Sequence, residues 1–354
     1  MRILVINPGS TTTKIAIFED EKQIFSNNIA HSEAELAQFK KISDQFEFRK
    51  SIVLKTIEKE GFSLQSFDAI AARGGNTHPL ESGVYVVNEK MVEDLLSLRY
   101  GAHPSNLAAP IAFEIAKLIS KQAFTVDPVI VDEMEPIAKI CGIKGIEREA
   151  KDHPLNQKAA AREAAKSLGK SYEDCNFIVA HLGGGISVAS HRKGRIIDVN
   201  NALNGDGPFS PERSGNIPNI ALVDLCFSGK YSREEILKML AGKGGLVSHL
   251  GTNSLIEVTD MIENGNTYAS LVFEAMCYQI AKEIGMHAAV LKGKVDGIVL
   301  TGGLANSLKL VEKVKEYVSF IAPVYVYAGE HEMEALAKGV LRVARGEEKS
   351  KIYS

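Results

Sequence analysis

The chain has 354 residues, 45% hydrophobic and 24% charged, with 41 Lys and Arg against 44 Asp and Glu for a net charge of −3. That length exceeds the usual span of one hydrophobic core and predicts two domains, while a near-neutral balance with no basic block argues against a nucleic-acid partner. No apolar stretch is long enough to cross a membrane, so no membrane partner is expected.

The first predicted element is an apolar strand, Ile3-Leu4-Val5-Ile6, running into Asn7-Pro8-Gly9-Ser10-Thr11-Thr12-Thr13-Lys14 and out again as Ile15-Ala16-Ile17-Phe18. A tight turn with backbone N–H groups, several hydroxyls and a lysine suits an anion such as phosphate. A charged turn, residues 19–22, and a third strand, 23–29, follow. Because the first strand starts at residue 3, a signal peptide is not expected. Ser32-x-x-Glu35 is a capping box that opens a helix through the forties and fifties. Phe67 to Ala72 reads as a buried strand ending in Arg73-Gly74-Gly75. Residues 91–98 read as a short helix and 106–120 as another, with Pro110 tolerated only near its first turn. Phe124-Thr125-Val126 is a brief strand stopped by Asp127-Pro128.

The alanine-rich segment 156–168 predicts a helix that Gly169 ends. Phe177 to Leu182 then runs into Gly183-Gly184-Gly185 and out as Ile186-Ser187-Val188-Ala189-Ser190, with a charged turn and a third strand, 196–199. This repeats the N-terminal scheme, Asn7 aligning with His181 and Gly9 with Gly183. A second pair agrees: Phe67 to Gly75 matches Val295 to Gly303, each a strand ending in Gly-Gly. Two copies of one plan predict two similar α/β domains facing a common cleft. Residues 200–218, rich in Asn, Gly and Pro, form a long aperiodic loop of the kind that usually carries function. Residues 267–291 predict the longest helix, with Leu271, Ala275, Ile280, Ile284, Ala288 and Leu291 on or near one face. A strand at 324–327 leads to a closing helix at 332–343, and the polar tail 346–354 is expected to fray. Cys141, Cys175, Cys226 and Cys277 form no C-x-x-C pair, which predicts reduced, mostly buried thiols and a cytoplasmic location.

Several familiar motifs fail. Gly169-Lys170-Ser171 imitates the end of a phosphate loop, but a helix precedes it and Ala164 stands where that motif needs glycine. There is no G-x-G-x-x-G opening a helix, no metal-ligand histidine spacing and no G-x-S-x-G elbow. What remains is two phosphate-type turns, able to hold a nucleoside triphosphate. Phosphoryl transfer needs mainly positioning and charge neutralisation, with Mg²⁺. Lys14, Arg73, His181 and Arg213 are the candidate cations, against their reading as ordinary surface side chains. Asp127 suits a metal-bound water, although a turn aspartate before proline is the commoner use. Thr301-Gly302-Gly303 would let a nucleoside approach the backbone, or is a plain tight turn.

Together, Asn7 to Lys14, His181-Leu182-Gly183-Gly184-Gly185-Ile186-Ser187 and Pro211-Glu212-Arg213-Ser214-Gly215 resemble the acetokinase family of acetate and butyrate kinases. Val126 to Glu133, Asp198 to Leu203, Leu300 to Leu304 and Val318 to Pro323 resemble its butyrate kinases specifically. The resemblance spans essentially the whole chain. It implies two duplicated ribonuclease H-like, actin-like ATPase domains around a central cleft, at 1–140 with 330–354 and at 141–329. It implies phosphorylation of a short-chain carboxylic acid by ATP, reversibly to ADP and an acyl phosphate, with Mg²⁺. Butyrate or a branched relative is the implied acid; an acetate or propionate kinase, or a non-catalytic nucleotide-binding regulator, are the alternatives. A homo-oligomer, dimer or larger, is expected.

Residue by residue, the resemblance gives Asn7 a place near the transferred phosphoryl and Mg²⁺. Arg73 and Arg213 would hold the carboxylate and the phosphoryl, and His181 would donate to the latter. Asp127 and Glu332 would organise Mg²⁺ and its waters, with Glu330 and Glu334 close enough to exchange with Glu332. Ser10, Thr12, Lys14, Gly183, Gly184, Gly185, Gly302 and Gly303 would line the nucleotide, and His103 is a further equivalent on the substrate side. Two segments depart from the butyrate kinase pattern near the acyl side: Asn76 to Gly83, and Ala102-His103-Pro104-Ser105.

Overall fold

A computed structural model describes residues 1–354. Its strands are β1 Arg2–Pro8, β2 Thr12–Glu19, β3 Lys22–Ala30, β4 Ala69–Ala72, β5 Val84–Val86, β6 Gln122–Val126, β7 Asn176–Leu182, β8 Ile186–Arg192, β9 Arg195–Val199, β10 Gly297–Gly302, β11 Val324–Ala328 and β12 Lys351–Ile352. The chain divides into two units, residues 1–132 with 331–354, and residues 133–330.

In the first unit the sheet runs β12-β5-β6-β4-β1-β2-β3. β1 lies antiparallel to β2 with Asn7 opposite Lys14, and parallel to β4. β4 is buried along its whole length, as expected of a parallel strand covered on both faces, and this is why its sequence is a plain apolar run. The helices Ala108–Leu118 and Glu332–Ala344 pack on β4 and β6. Gly339 lets the second of these approach closely, since a Cβ there would lie 2.6 Å from Val126 Cγ2.

In the second unit the order is β11-β10-β7-β8-β9, with β7 antiparallel to β8 and parallel to β10. This repeats the β6-β4-β1-β2-β3 portion of the first sheet strand for strand. Alternation along β7 divides its side chains between two faces. Phe177 and Val179 cluster with Ala160, Ala161 and Ala164 of the helix Pro154–Ser167. Ile178, Ala180 and Leu182 cluster with Phe273, Met276 and Ile280 of the helix Thr267–Val290. Both units are thus α/β with mixed sheets, and no helix is long and apolar enough to cross a membrane.

The structure corrects four local expectations. The capping box at Ser32 is present, but its helix ends at Ala37, and the long helix Phe46–Lys59 starts anew after a 3₁₀ turn. Leu271 is 62% exposed because the buried stripe of its helix runs through Val272, Met276, Ile280 and Ile284 instead. All four cysteines are free, but only Cys175 and Cys277 are buried, and Cys226 is exposed. The tail is not frayed: β12 adds to β5, and Tyr353 is 2% exposed with its hydroxyl donating to Asp94 Oδ2 at 2.8 Å. His78 stacks on Tyr353 at 4.7 Å, so part of the segment 76–83 serves to seat the tail. Truncating a buried aromatic costs about 3–5 kcal/mol. Tyr353→Ala is therefore expected to lower the thermal midpoint by several degrees, and an unchanged midpoint would return the tail to a frayed end.

Candidate functional site

The turn between β1 and β2 is shaped from beneath by a residue far away in sequence. Arg49, on the helix Phe46–Lys59, is fully buried. It donates from Nη1 to Gly9 O at 2.9 Å, Thr12 O at 2.8 Å and Thr13 Oγ1 at 3.1 Å, and from Nη2 to Ser10 O at 3.0 Å. Burial brings its guanidinium down to about 10, still charged at neutral pH. With these carbonyls drawn inward, the outer side of the turn carries exposed Ser10 and Lys14 and the half-buried Thr12.

At the neighbouring end of the sheet three predicted residues meet. Arg73 follows β4, and its guanidinium is ion-paired with Glu332 at the start of the closing helix. Asn7 Nδ2 donates to the other oxygen of the same carboxylate at 2.8 Å. Of the three candidate glutamates, Glu332 makes these contacts, whereas Glu334 pairs with Lys338 at 2.8 Å. The Gly74-Gly75 pair after Arg73 is a packing requirement, since a Cβ on Gly74 would lie 2.1 Å from Pro128 Cβ and one on Gly75 2.6 Å from Asn106 Cα. Asp127 is 2% exposed and in the left-handed region at φ +38°, a costly conformation for a non-glycine residue. Its Oδ1 accepts from Gly83 N–H at 2.8 Å. His103 caps the turn Pro104–Leu107, its Nδ1 at 2.8 Å from Ser105 Oγ. Burial, and then the charge of Arg73, lower its pKa and keep the ring neutral.

In the second unit His181 ends β7, 2% exposed. Asn156 Nδ2 donates to its Nδ1 at 2.8 Å and to Thr301 Oγ1 at 3.1 Å. An accepting Nδ1 leaves the proton of a neutral imidazole on Nε2, the nitrogen directed at Gly183. The ring of His153 stacks on His181 at 3.9 Å and 12°. The long loop folds over the glycine turn: Ser210 Oγ donates to Gly184 O and Glu212 N to the same oxygen at 3.3 Å. A Cβ on Gly185 would come within 3.1 Å of Ala202 O. Arg213 follows in this loop, its Nη1 only 3.4 Å from Glu212 Oε2 and its Nε buried with no partner. Gly302 has φ +87° and its Cβ would strike Leu182 O at 2.4 Å, while Gly303 faces open space. A ligand can therefore reach the backbone at Gly303.

In the first unit a turn rich in hydroxyls, and in the second a histidine turned toward a triple glycine and an arginine with an unsatisfied buried donor, each have the chemistry of an anion-binding group. The acetokinase family model matches residues 148–326, half of the chain. The chain belongs to the acetokinase family. This membership supports activity as a carboxylate kinase. Among solved structures, acetate kinase from Porphyromonas gingivalis is similar at a TM-score of 0.80 and 19% identity, over 96% of this chain and 99% of that one. A propionate kinase from Francisella tularensis gives 0.73 and 20%, over 96% and 98%. A ROK family protein from Streptococcus pneumoniae gives 0.56 and 12%, over 98% and 100%. At these identities the likeness concerns the fold, which is that of the actin-like ATPases.

Arg49, His153 and Asn156 were not singled out by sequence reasoning. Arg49 sits in an ordinary helical pattern and reads as a surface residue. His153 and Asn156 precede or open an alanine-rich helix, and only the fold brings them to His181. The fork geometry of Arg49 predicts that lysine cannot replace it. Arg49→Lys is expected to accelerate amide exchange across residues 9–13, and unchanged protection there would show that the turn holds its own shape.

Proposed function

We propose that this member of the acetokinase family transfers the γ-phosphoryl group of ATP directly, in line, to the carboxylate of butyrate or a branched relative, and runs the reaction in reverse to make ATP. The observation that carries this reading is the Arg213 Nε, a buried charged donor without a protein partner. Such a group is costly unless a ligand satisfies it, and an oxyanion is the fitting ligand. The butyrate-type segments Asp198 to Leu203 and Leu300 to Leu304 favour the four-carbon acid over acetate or propionate.

A carboxylate nucleophile is already ionised at neutral pH, unlike a sugar hydroxyl, so the site needs no general base for it. The barrier is the approach of two anions, and catalysis rests on neutralisation and alignment. In this reading Arg213 and His181 Nε2–H donate to the oxygens of the transferred phosphoryl group. Arg73, held in place by Glu332, receives the substrate carboxylate, and neutral His103 beside it adds no competing charge. Ser10, Thr12, Lys14 and Gly183–Gly185 bind nucleotide phosphates, with Gly302 and Gly303 at the nucleoside.

The donors present fit Mg²⁺. Glu332 offers a carboxylate, and Asn7, which spends its Nδ2 on Glu332, keeps its amide oxygen for a hard cation. No group of three or more His, Cys, Asp or Glu side chains is gathered here, which agrees with Mg²⁺ taking one or two carboxylates and its other ligands from phosphates and water. When bound, the ion neutralises charge on the phosphate oxygens. In this reading Asp127, whose Oδ1 accepts from the Gly83 amide, would orient a water of the ion rather than act as a base.

Trapping the acyl phosphate with hydroxylamine across a series of carboxylic acids tests the substrate. Two extra buried methylenes at about 0.8 kcal/mol each predict a kcat/KM for butyrate on the order of tenfold above acetate. A clear preference for acetate would reject butyrate while leaving the carboxylate kinase standing. Arg213→Ala is expected to lower kcat by about 10²–10³ with the circular dichroism unchanged. Near-normal turnover would make Arg213 a plain loop arginine.

A further inference from the structure

Apart from the residues above, the second unit contains a cavity of about 380 Å³, within the range of small-molecule sites. Its walls include Asp198 of β9, Asp206 of the long loop, and Glu283, Met286 and Val290 of the helix Thr267–Val290. Glu283 is only 7% exposed, yet its carboxylate makes no hydrogen bond and no ion pair. The neighbouring cation is already engaged: Arg148 Nη1 donates to Asp198 Oδ1 at 2.8 Å and Ala138 O at 2.9 Å, and Nη2 to Val199 O at 2.9 Å. His287 lies one turn along the helix, bonded through Nδ1 to Ser190 Oγ at 2.8 Å, and burial brings it down to about 3, so it carries no charge.

A buried carboxylate with no partner is unfavourable unless something neutralises it. We propose that this cavity binds a small organic cation, an alkylammonium or guanidinium, whose head group pairs with Glu283 while its carbon chain lies on Met286 and Val290. Asp206 stands ready for a second positive group on a longer ligand.

In the absence of the cation a proton takes its place. Burial raises Glu283 to about 7, with Asp198 and Asp206 adding to the shift and Arg148 and Lys282 opposing it. Above an unfolded value near 4.5 the folded protein holds this proton more tightly, so the contribution to stability is lost as pH rises toward and past 7. The cation must displace the proton, and its affinity is expected to be about tenfold higher at pH 8 than at pH 6.

The test is calorimetric titration of the full chain with putrescine and with agmatine, at both pH values, for the wild type and Glu283→Gln. The wild type should bind at least one probe with that pH dependence, and Glu283→Gln should bind neither. The variant should keep its kcat for the carboxylate and unfold at a higher temperature than the unliganded wild type at pH 8, which shows that it is folded. Absence of binding by both probes at pH 8, or equal binding by Glu283→Gln, overturns the proposal. So does equal binding of Mg²⁺ or K⁺ at this site. A change of assembly size on substituting Glu283 overturns it as well, since a second copy of the chain would then be the occupant.

Discussion

One carboxylate, Glu332, ties three elements of the first unit together. Its two oxygens take the Arg73 guanidinium and the Asn7 amide, joining the end of β4, the end of β1 and the first turn of the closing helix. The contact is possible only because the chain returns to the first sheet after building the whole second unit, and because Gly339 lets the returning helix settle against Val126. Arg73 is thereby held at the end of the central strand β4 with part of its surface exposed. A guanidinium fixed in this way has lost much of its conformational entropy before any anion arrives, which is the physical basis of preorganisation.

The two units show how a duplicated plan is put to different chemical use. β1 and β7 occupy the same place in their sheets, as do Asn7 and His181 near the ends of those strands. Beneath the first turn lies a buried arginine that gathers three carbonyls. Around the second turn the supports come from elsewhere: Asn156 fixes the ring of His181, and the loop containing Ser210 and Glu212 binds Gly184 O. The strand order is common to both, and the side chains that shape each turn are specific to it.

The sheets were readable because parallel strands covered on both faces must be continuous apolar runs, and three of the glycines after them, Gly74, Gly75 and Gly302, mark close approaches that only glycine permits. The duplication was readable for the same reason. The aperiodic loop at 200–218 was readable as an absence of pattern, and no helix or strand forms within it. What escaped detection depended on contacts distant in sequence. Arg49 looks like any helix-surface arginine until Gly9 and Ser10 are placed over it. Tyr353 is a single aromatic in a polar tail, and a two-residue strand has no periodicity to read. The capping box at Ser32 was read correctly, but it reports where a helix starts and not where it stops, and residues 38–45 interrupt it.

The central claim is that the substrate carboxylate itself attacks phosphorus. Butyrate labelled with ¹⁸O in both oxygens, incubated with ATP and Mg²⁺ and trapped with hydroxylamine, tests it most directly. Attack of hydroxylamine at the acyl carbon releases phosphate that retains the bridging oxygen. The account predicts that this phosphate carries one ¹⁸O, seen as the isotope shift of its ³¹P resonance. Phosphate without label, formed at the same rate whether or not butyrate is present, would mean that water is the acceptor and would contradict the account.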